Sequence, residues 1–263
     1  MPVKLHHTVH GNGEPIIMLH GLFGSSRNLR SIADSLSERY KVITVDLRNH
    51  GQSGHTDSMT YMEMADDIIL LMEQLSIDNV SLIGHSMGGK AAMTAALQKQ
   101  GLIKQLIILD ISPVRYAHSY GKLFSAMEGL PLNTLRNRKD AEDYMNLQID
   151  ETGLSQFLLQ NLVRTEQGFR WRFCLPAIKA NIEHITGFPA LNTNIHFNGP
   201  ALFLGGENSD CIETKYHKII HDYFPRADIQ VIANAGHMLH IEQPDMVVRA
   251  ITAFLQQNLS AKF

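Results

Sequence analysis

The sequence predicts an α/β fold with a mostly parallel sheet, helices on both faces and one helical insertion. Short apolar runs of strand length alternate with amphipathic helical patterns, and polar or glycine-rich turns follow most of the runs. This alternation stops after residue 113 and resumes near residue 199. Strand–helix alternation favours parallel strands that are joined by right-handed crossovers and covered by helices on both faces.

Seven strands are predicted, and most are apolar enough to be buried on both faces of a sheet. They are residues 4–10, 16–19, 42–45, the run that begins at Val80, and residues 106–109, 200–204 and 229–232. The predicted helices are a segment ending near Arg39, residues 60–75, the segment after Ser86, and residues 214–223 and 245–255. Thr60 with Glu63 three residues later is typical of a capping box, and Ser26 or Asn28 is expected to cap the first helix.

The break in the alternation predicts the domain organisation. Residues 1–113 and 199–263 are expected to form one core domain, and residues 114–198 a helical cap, or lid, inserted between two of its strands. No strong buried strand is predicted inside the cap.

The stretch Gly84-His85-Ser86-Met87-Gly88 ends an apolar run and begins an alanine-rich helix. A serine on a sharp strand-to-helix turn is typical of a nucleophile elbow, in which the hydroxyl stands clear of the backbone. Gly84 and Gly88 lack the Cβ atoms that would collide where the chain turns back on itself. Ser86 is therefore the candidate nucleophile.

Ser86, Asp110 and His237 each follow a predicted strand, so a parallel sheet would bring them to one edge. A serine hydroxyl needs a base, and a carboxylate behind the base holds the imidazole in the correct tautomer. Asp210 is the alternative acid, because it follows the first strand after the cap. Enzymes with a nucleophile elbow often carry the acid in this loop, but Asp210 stands one residue beyond the usual position. Ser209 occupies that position, so Asp110 is favoured.

An oxyanion hole needs backbone N–H donors that are in place before the reaction. The N–H of Met87, directly after the candidate nucleophile, is one expected donor. The glycine-rich turn after residues 16–19 supplies the second, with Leu22 the best candidate and Phe23 the next. His20 and His50 are expected to hold loops in place and are given no chemical role, and His85 is expected to pack or hydrogen-bond beneath the site.

Composition restricts the function classes. The chain has 23 Lys and Arg against 26 Asp and Glu, a net charge of −3, which does not favour nucleic acid or an anionic membrane. Cys174 and Cys211 are not spaced as a disulfide framework, and no signal-peptide or membrane-spanning run is present, so a cytoplasmic location is expected. The 14 histidines show no metal-binding spacing, and no metal site is expected.

Several longer motifs resemble those of the YbfF-type esterases of the alpha/beta-hydrolase superfamily. The matching stretches are His20–Ser25, Asp46–Ser53, Gly84–Lys90, Asp110–Val114, Gly168–Phe173 and Asn234–His237. They extend over nearly the whole chain, with the cap matched more loosely. The combinations Arg-Asn-His-Gly and Gly-His-Ser-Met-Gly-Gly-Lys are much more specific than Gly-x-Ser-x-Gly alone.

The resemblance implies an alpha/beta-hydrolase fold with a helical lid, no cofactor, and hydrolysis of acyl esters and acyl thioesters, including acyl-CoA. A small-molecule acyl ester or thioester is then the expected partner. Family members near this sequence lack an acid in the loop that matches residues 205–210, which supports Asp110, although Asp210 is present here.

Other functions fit the same pattern. A carbon–carbon bond hydrolase or a haloperoxidase would use the same three residues, and a non-catalytic small-molecule binding protein would use only the pocket. The sequence leaves the acyl length and the oligomeric state open. Of six apolar residues in the cap, most are expected to be buried in the core and some to line an apolar pocket. They are Phe124, Phe157, Leu158, Phe169, Trp171 and Phe173.

Overall fold

The computed structural model describes residues 1–191 and 195–259. Its strands are β1 (His7–His10), β2 (Pro15–Leu19), β3 (Lys41–Val45), β4 (Val80–His85), β5 (Ile103–Leu109), β6 (Leu162–Thr165), β7 (Gly168–Trp171), β8 (Ala201–Gly206) and β9 (Ala227–Ile232). Its helices are α1 (Arg30–Leu36), α2 (Tyr61–Gln74), α3 (Met87–Gln98), α4 (Gly121–Gly129), α5 (Arg138–Gln148), α6 (Thr152–Leu159), α7 (Leu175–Ala180), α8 (Ile182–Thr186), α9 (Thr214–Tyr223), α10 (Leu239–Glu242) and α11 (Pro244–Leu259). None of the described helices is long and apolar enough to cross a bilayer.

Seven strands form one sheet in the order β1-β3-β2-β4-β5-β8-β9. Only β1 pairs antiparallel, with β3, and every other neighbouring pair in this sheet is parallel. The carboxyl ends of β4, β5, β8 and β9 therefore lie along one edge. The predicted mostly parallel α/β sheet is confirmed.

Alternate residues of the central strands belong to two different hydrophobic cores. On β2, Ile16 and Met18 pack with α1 and α11, whereas Ile17 and Leu19 pack with α2, α3 and α9. All four side chains are at most 1% exposed. Since successive side chains of a strand point to opposite faces, helices cover both faces of the sheet, as predicted.

Two predicted element boundaries at the amino-terminal end are wrong. β1 begins at His7 rather than residue 4, because the backbone of His6 bonds instead to the loop after β3: its carbonyl accepts from Asp46 N and its N–H donates to Ser53 Oγ. The first helix is split into a 3₁₀ turn at Ser26–Leu29 followed by α1. By contrast, the capping box of α2 at Thr60 and Glu63 is confirmed.

The segment between β5 and β8, where the cap is predicted, contains α4 to α8. It also contains an antiparallel hairpin of β6 and β7, which the sequence analysis did not predict. The hairpin was missed because exposed Arg164 and Arg170 interrupt its apolar residues, so neither strand is a wholly apolar run. Gly168, with φ of +123°, closes the turn between them. Residues 192–194 of the predicted cap lie outside the described residues.

One buried ammonium joins the core to both ends of the cap. Lys90 Nζ in α3 donates to the carbonyls of Val114 (2.7 Å), Thr186 (2.9 Å) and Gly187 (2.6 Å). Val114 lies where the chain enters the cap, and the other two carbonyls lie near its end. Burial lowers the pKa of Lys90 to about 7. The carbonyls supply the hydrogen bonds that a buried cation needs.

We expect Lys90→Met to destabilise the protein, because three buried carbonyls lose their donor while the apolar stem is kept. An unsatisfied buried acceptor costs about 1–3 kcal/mol, and removal of the buried charge offsets part of this, so a loss of about 2–4 kcal/mol is expected. Urea unfolding followed by circular dichroism measures it. Lys99→Met, at the exposed end of the same helix, is the matched control. Equal unfolding midpoints for the two variants would contradict the prediction.

Candidate active site

Ser86 lies on a strained turn between β4 and α3, with φ of +51° and ψ of −118°. The chain turns so tightly that glycine is required on both sides of the serine. A Cβ on Gly84 would lie 2.3 Å from the Gly88 carbonyl oxygen, and a Cβ on Gly88 would lie 2.4 Å from the Leu19 carbonyl oxygen. The strand–turn–helix arrangement expected around Ser86 is therefore present, and its cause is close backbone packing.

Ser86, His237 and Asp110 come together at the carboxyl edge of the sheet. His237 Nε2 lies 3.1 Å from Ser86 Oγ, and His237 Nδ1 lies 2.8 Å from Asp110 Oδ2. Asp110 is completely buried directly after β5, whereas the side chain of His237, in the loop after β9, is 43% exposed. A hydroxyl, an imidazole and a carboxylate in this order form a path along which a proton can leave Ser86.

The Asp110 carboxylate accepts hydrogen bonds from three segments. Besides His237, the Gly206 N–H donates to Oδ1 at 2.9 Å and the Ser209 hydroxyl donates to Oδ2. Asp110 also has a φ of +52°, a conformation that is uncommon outside glycine. These bonds hold the carboxylate in one orientation.

Asp210, the alternative acid, is exposed and is not brought to His237. Its contact within the described part of the chain is with Cys211 Sγ, at 3.9 Å from Oδ1. Ser209, one residue earlier, faces the site and donates its hydroxyl proton to Asp110. The one-residue displacement noted in the sequence thus separates the Asp210 carboxylate from the imidazole.

The pKa of His237 is raised above its ordinary value of 6.5. Burial of the ring by itself lowers this pKa, but the hydrogen bonds to Asp110 and Cys211 and the charge of Asp110 outweigh burial. The imidazolium is therefore stabilised at the position where it would form after proton transfer from Ser86.

Two backbone N–H groups beside Ser86 are available to a ligand. Met87 is the first residue of α3, so its N–H has no intrahelical acceptor, and the Leu22 N–H makes no hydrogen bond within the described residues. Both residues line the same cavity as Ser86. The Phe23 N–H instead donates to His50 Nε2 at 3.1 Å, which removes Phe23 from the candidates.

Buried histidines hold the turn that carries Leu22. His50 donates from Nδ1 to the Arg48 carbonyl, and His20 Nε2 accepts the Leu47 N–H. Burial lowers the pKa of His20. Burial, together with charge repulsion from His20, lowers the pKa of His50 to about 3. Both rings therefore stay neutral and keep an acceptor nitrogen. The loop at residues 46–54 supports this turn and does not line the cavity.

His85 supports His237 from behind. Its Nε2 donates to the His237 carbonyl at 2.9 Å, and its ring lies 4.8 Å from the His237 ring and 4.4 Å from the His240 ring. Burial lowers the pKa of His85 well below 6.5 and that of His240 to about 4. Neutral rings can pack closely here, tilted against each other, without placing a second positive charge beside His237. The expectation that His85 bonds beneath the site agrees with this geometry.

Ser86 opens into a cavity of about 890 Å³ between the core and the cap. Its volume lies within the range of small-molecule sites, and its walls are largely apolar. The apolar lining residues are Leu22, Phe23, Leu29, Met87, Ile111, Leu123, Leu154, Phe157, Ile185 and Ile241, together with Tyr61, Tyr116, Tyr120 and Met238. Of the six apolar cap residues considered in the sequence, only Phe157 is among the lining residues; the other five are buried in the core.

Cys211 is a neighbour of the site that sequence reasoning did not identify. Its Sγ lies 3.6 Å from His237 Nδ1, and its side chain is buried. Together with Asp110 and His237 it offers three donor atoms of the types that bind metal ions. No local sequence signal could have revealed this group, because its members come from three separate loops.

Comparison with known proteins finds one matching family and several similar proteins. The alpha/beta hydrolase fold family matches residues 14–244. The chain is 41% identical to the sn-1-specific diacylglycerol lipase ABHD11 of Danio rerio, covering 97% of this chain and 83% of that protein. It is 38% identical to the esterase YbfF of Escherichia coli (strain K12), covering 93% and 94%. A solved marine microorganism esterase superposes with a TM-score of 0.93 at 36% identity, covering 96% and 99%.

The raised pKa of His237 predicts a pH dependence for the reactivity of Ser86. Only the neutral imidazole can accept the serine proton, so labelling of Ser86 by an organophosphonate should fall as the pH decreases through a midpoint above 6.5. Asp110→Asn should move that midpoint downwards, because it removes the charge that stabilises the imidazolium. A wild-type midpoint at or below 6.5 would contradict the prediction.

Proposed function

The chain belongs to the alpha/beta hydrolase fold family, and from this premise we propose that it is a serine carboxylic-ester hydrolase that works through an acyl-enzyme. Its relatives are named as lipases and esterases, and the fold is that of a hydrolase. One observation carries the finer proposal: the path from Ser86 Oγ through His237 to Asp110, with separations of 3.1 and 2.8 Å, at the wall of a largely apolar cavity.

Acylation begins when Ser86 Oγ attacks the ester carbonyl carbon and His237 Nε2 accepts its proton. The tetrahedral intermediate carries its negative charge on the former carbonyl oxygen, which accepts hydrogen bonds from the N–H groups of Leu22 and Met87. The N-terminus of α3 adds a favourable partial positive charge at the same place. His237 then protonates the alcohol, which leaves.

Deacylation repeats these steps with water. His237 takes a proton from a water molecule that attacks the acyl carbonyl, and returns that proton to Ser86 as the acid departs. The Asp110 carboxylate stabilises the imidazolium in both halves of the reaction. No cofactor takes part in this scheme.

The cavity supports an uncharged acyl ester as substrate. The charged groups that line it include Glu151, Asp210 and Glu242, which are exposed, and Lys90, whose ammonium is already bonded to three carbonyls. No arginine lines the cavity within the described chain. The acyl chain would occupy the apolar walls, and a small neutral alcohol, such as the glycerol part of an acylglycerol, would face the polar side.

Acyl-CoA is the second substrate that the family resemblance implied. Its phosphates carry several negative charges, which the acidic residues at the cavity would repel. We therefore propose that acyl-CoA thioesters are poorer substrates than neutral esters with the same acyl group. The cytoplasmic location also stays a proposal, supported by the two free cysteines.

We expect Ser86→Ala to abolish hydrolysis of p-nitrophenyl and glyceryl esters, with a fall in kcat of about 10⁴–10⁶-fold, because no other hydroxyl is held by His237. Mass spectrometry after organophosphonate treatment should locate the adduct on Ser86. Ser31→Ala, an exposed helical serine, is the matched control. A wild-type protein that takes up no label and hydrolyses no ester would favour a binding protein, and turnover of a vinylogous diketone alone would favour a carbon–carbon hydrolase.

The two candidate acids can be separated by the same conservative change. Asp110→Asn should lower kcat about 10³–10⁴-fold, because an amide cannot hold the His237 tautomer or stabilise the imidazolium. Asp210→Asn should change kcat on a neutral ester by less than about threefold, since its carboxylate does not reach the imidazole. Equal losses of kcat in the two variants would contradict the assignment of Asp110 as the acid.

A further inference from the structure

Three metal-binding atoms converge behind the candidate base. Cys211 Sγ, His237 Nδ1 and a carboxylate oxygen of Asp110 lie within 4.8 Å of one another. Cys211 Sγ is 3.6 Å and Asp110 Oδ2 is 2.8 Å from His237 Nδ1. Sequence patterns indicated no metal site, because these residues have no ligand spacing along the chain. Folding brings the three side chains together from separate loops.

The donor set and its dimensions suit Zn²⁺. Thiolate, imidazole and carboxylate are the ligands that Zn²⁺ takes in proteins, at about 2.3 Å from sulfur and about 2.0 Å from nitrogen or oxygen. Tetrahedral coordination then places sulfur and nitrogen about 3.5 Å apart, close to the 3.6 Å between Cys211 and His237. His237 Nδ1 and Asp110 Oδ2 must separate by about 0.5 Å, which the partly exposed His237 side chain allows. Cys211 Sγ, which lies within 4.8 Å of the Asp110 carboxylate oxygen, must come to about 3.5 Å from it when the metal binds.

A cation can reach this group through the substrate cavity. Cys211 and His237 both line that cavity, and so does Asp210. The exposed Asp210 carboxylate, with Oδ1 3.9 Å from Cys211 Sγ, adds a negative charge that attracts cations to the entrance.

We propose that Zn²⁺ binds to Cys211, His237 and Asp110 and reversibly switches off the hydrolase. The effect on turnover rests on the proposed function, whereas the binding site does not depend on it. Nothing in the reaction scheme requires this metal, so the site is inhibitory rather than catalytic.

Proton positions explain the inhibition. Neutral His237 carries its proton on Nδ1, towards Asp110, and directs the lone pair of Nε2 to Ser86. Zn²⁺ at Nδ1 replaces that proton, which moves to Nε2, and the Cys211 thiol releases its own proton to water. No electron is transferred. With Nε2 protonated, His237 has no lone pair to accept the serine proton.

The binding test uses the full chain and Cd²⁺, because a thiolate bound to Cd²⁺ gives an ultraviolet charge-transfer band. We expect one equivalent of Cd²⁺ to produce the band in the wild type and in Cys174→Ala, the matched free-cysteine control, and not in Cys211→Ala or Cys211→Ser. Competition by Zn²⁺ should remove the band. An unaltered band in both Cys211 variants, or no band in the wild type, would overturn the site.

The activity test measures ester hydrolysis against Zn²⁺ concentration, each variant being compared with its own metal-free rate. Inhibition should be reversed by EDTA, and Cys211→Ala should raise the half-inhibitory concentration at least about tenfold, whereas Cys174→Ala should not. Equal sensitivity of Cys211→Ala and wild type would overturn the proposal, as would binding without inhibition of an active enzyme. If the wild type hydrolyses no ester, the proposed function and the switch both fail, and the Cd²⁺ titration still decides the site.

Discussion

The carboxylate of Asp110 is buried where three loops of the sheet edge meet, and the geometry of the site depends on its hydrogen bonds. It accepts from the Gly206 backbone, from the Ser209 hydroxyl and from His237, so the loops after β5, β8 and β9 share one anion. An unpaired buried carboxylate would be costly, and the three donors offset that cost only when all the loops are in place. The position of the imidazole is therefore a consequence of satisfying a buried charge.

Neutral histidines provide the rest of the support. His50 uses one ring nitrogen as an acceptor for the Phe23 N–H and the other as a donor to the Arg48 carbonyl, which requires an uncharged ring, and burial keeps it uncharged. His85 similarly donates to the His237 backbone from a buried position. The histidine side chain thus occurs in two different environments in this protein, one buried and without a carboxylate, the other beside a carboxylate. Among the described histidines around Ser86, His237 has a carboxylate partner, and its pKa rises while those of His85 and His240 fall.

The cap completes the cavity and depends on polar contacts with the core. Lys90 lies four residues after Ser86 on α3, and its ammonium bonds to carbonyls near both ends of the cap. Asn161 in the cap donates to the Phe23 carbonyl, so the turn beside the oxyanion donors also contacts the cap. Since the cap supplies several of the apolar cavity walls, the same contacts that hold it also determine the space open to an acyl chain.

Local features determined much of this protein from the sequence alone. Apolar runs located most strands of the main sheet, and Gly84 and Gly88 around Ser86 identified a turn that only glycine permits, because periodicity and backbone sterics are encoded within a few residues. The β6–β7 hairpin was missed because its short strands mix exposed arginines with buried residues. The sequence favoured Asp110 over Asp210 as the acid without deciding between them. It could not show that the Phe23 N–H donates to His50 and so is not free for an oxyanion, or that Cys211 lies beside His237. Those contacts join residues from 26 to 127 positions apart, and such distances depend on how whole loops pack, which only the tertiary structure decides.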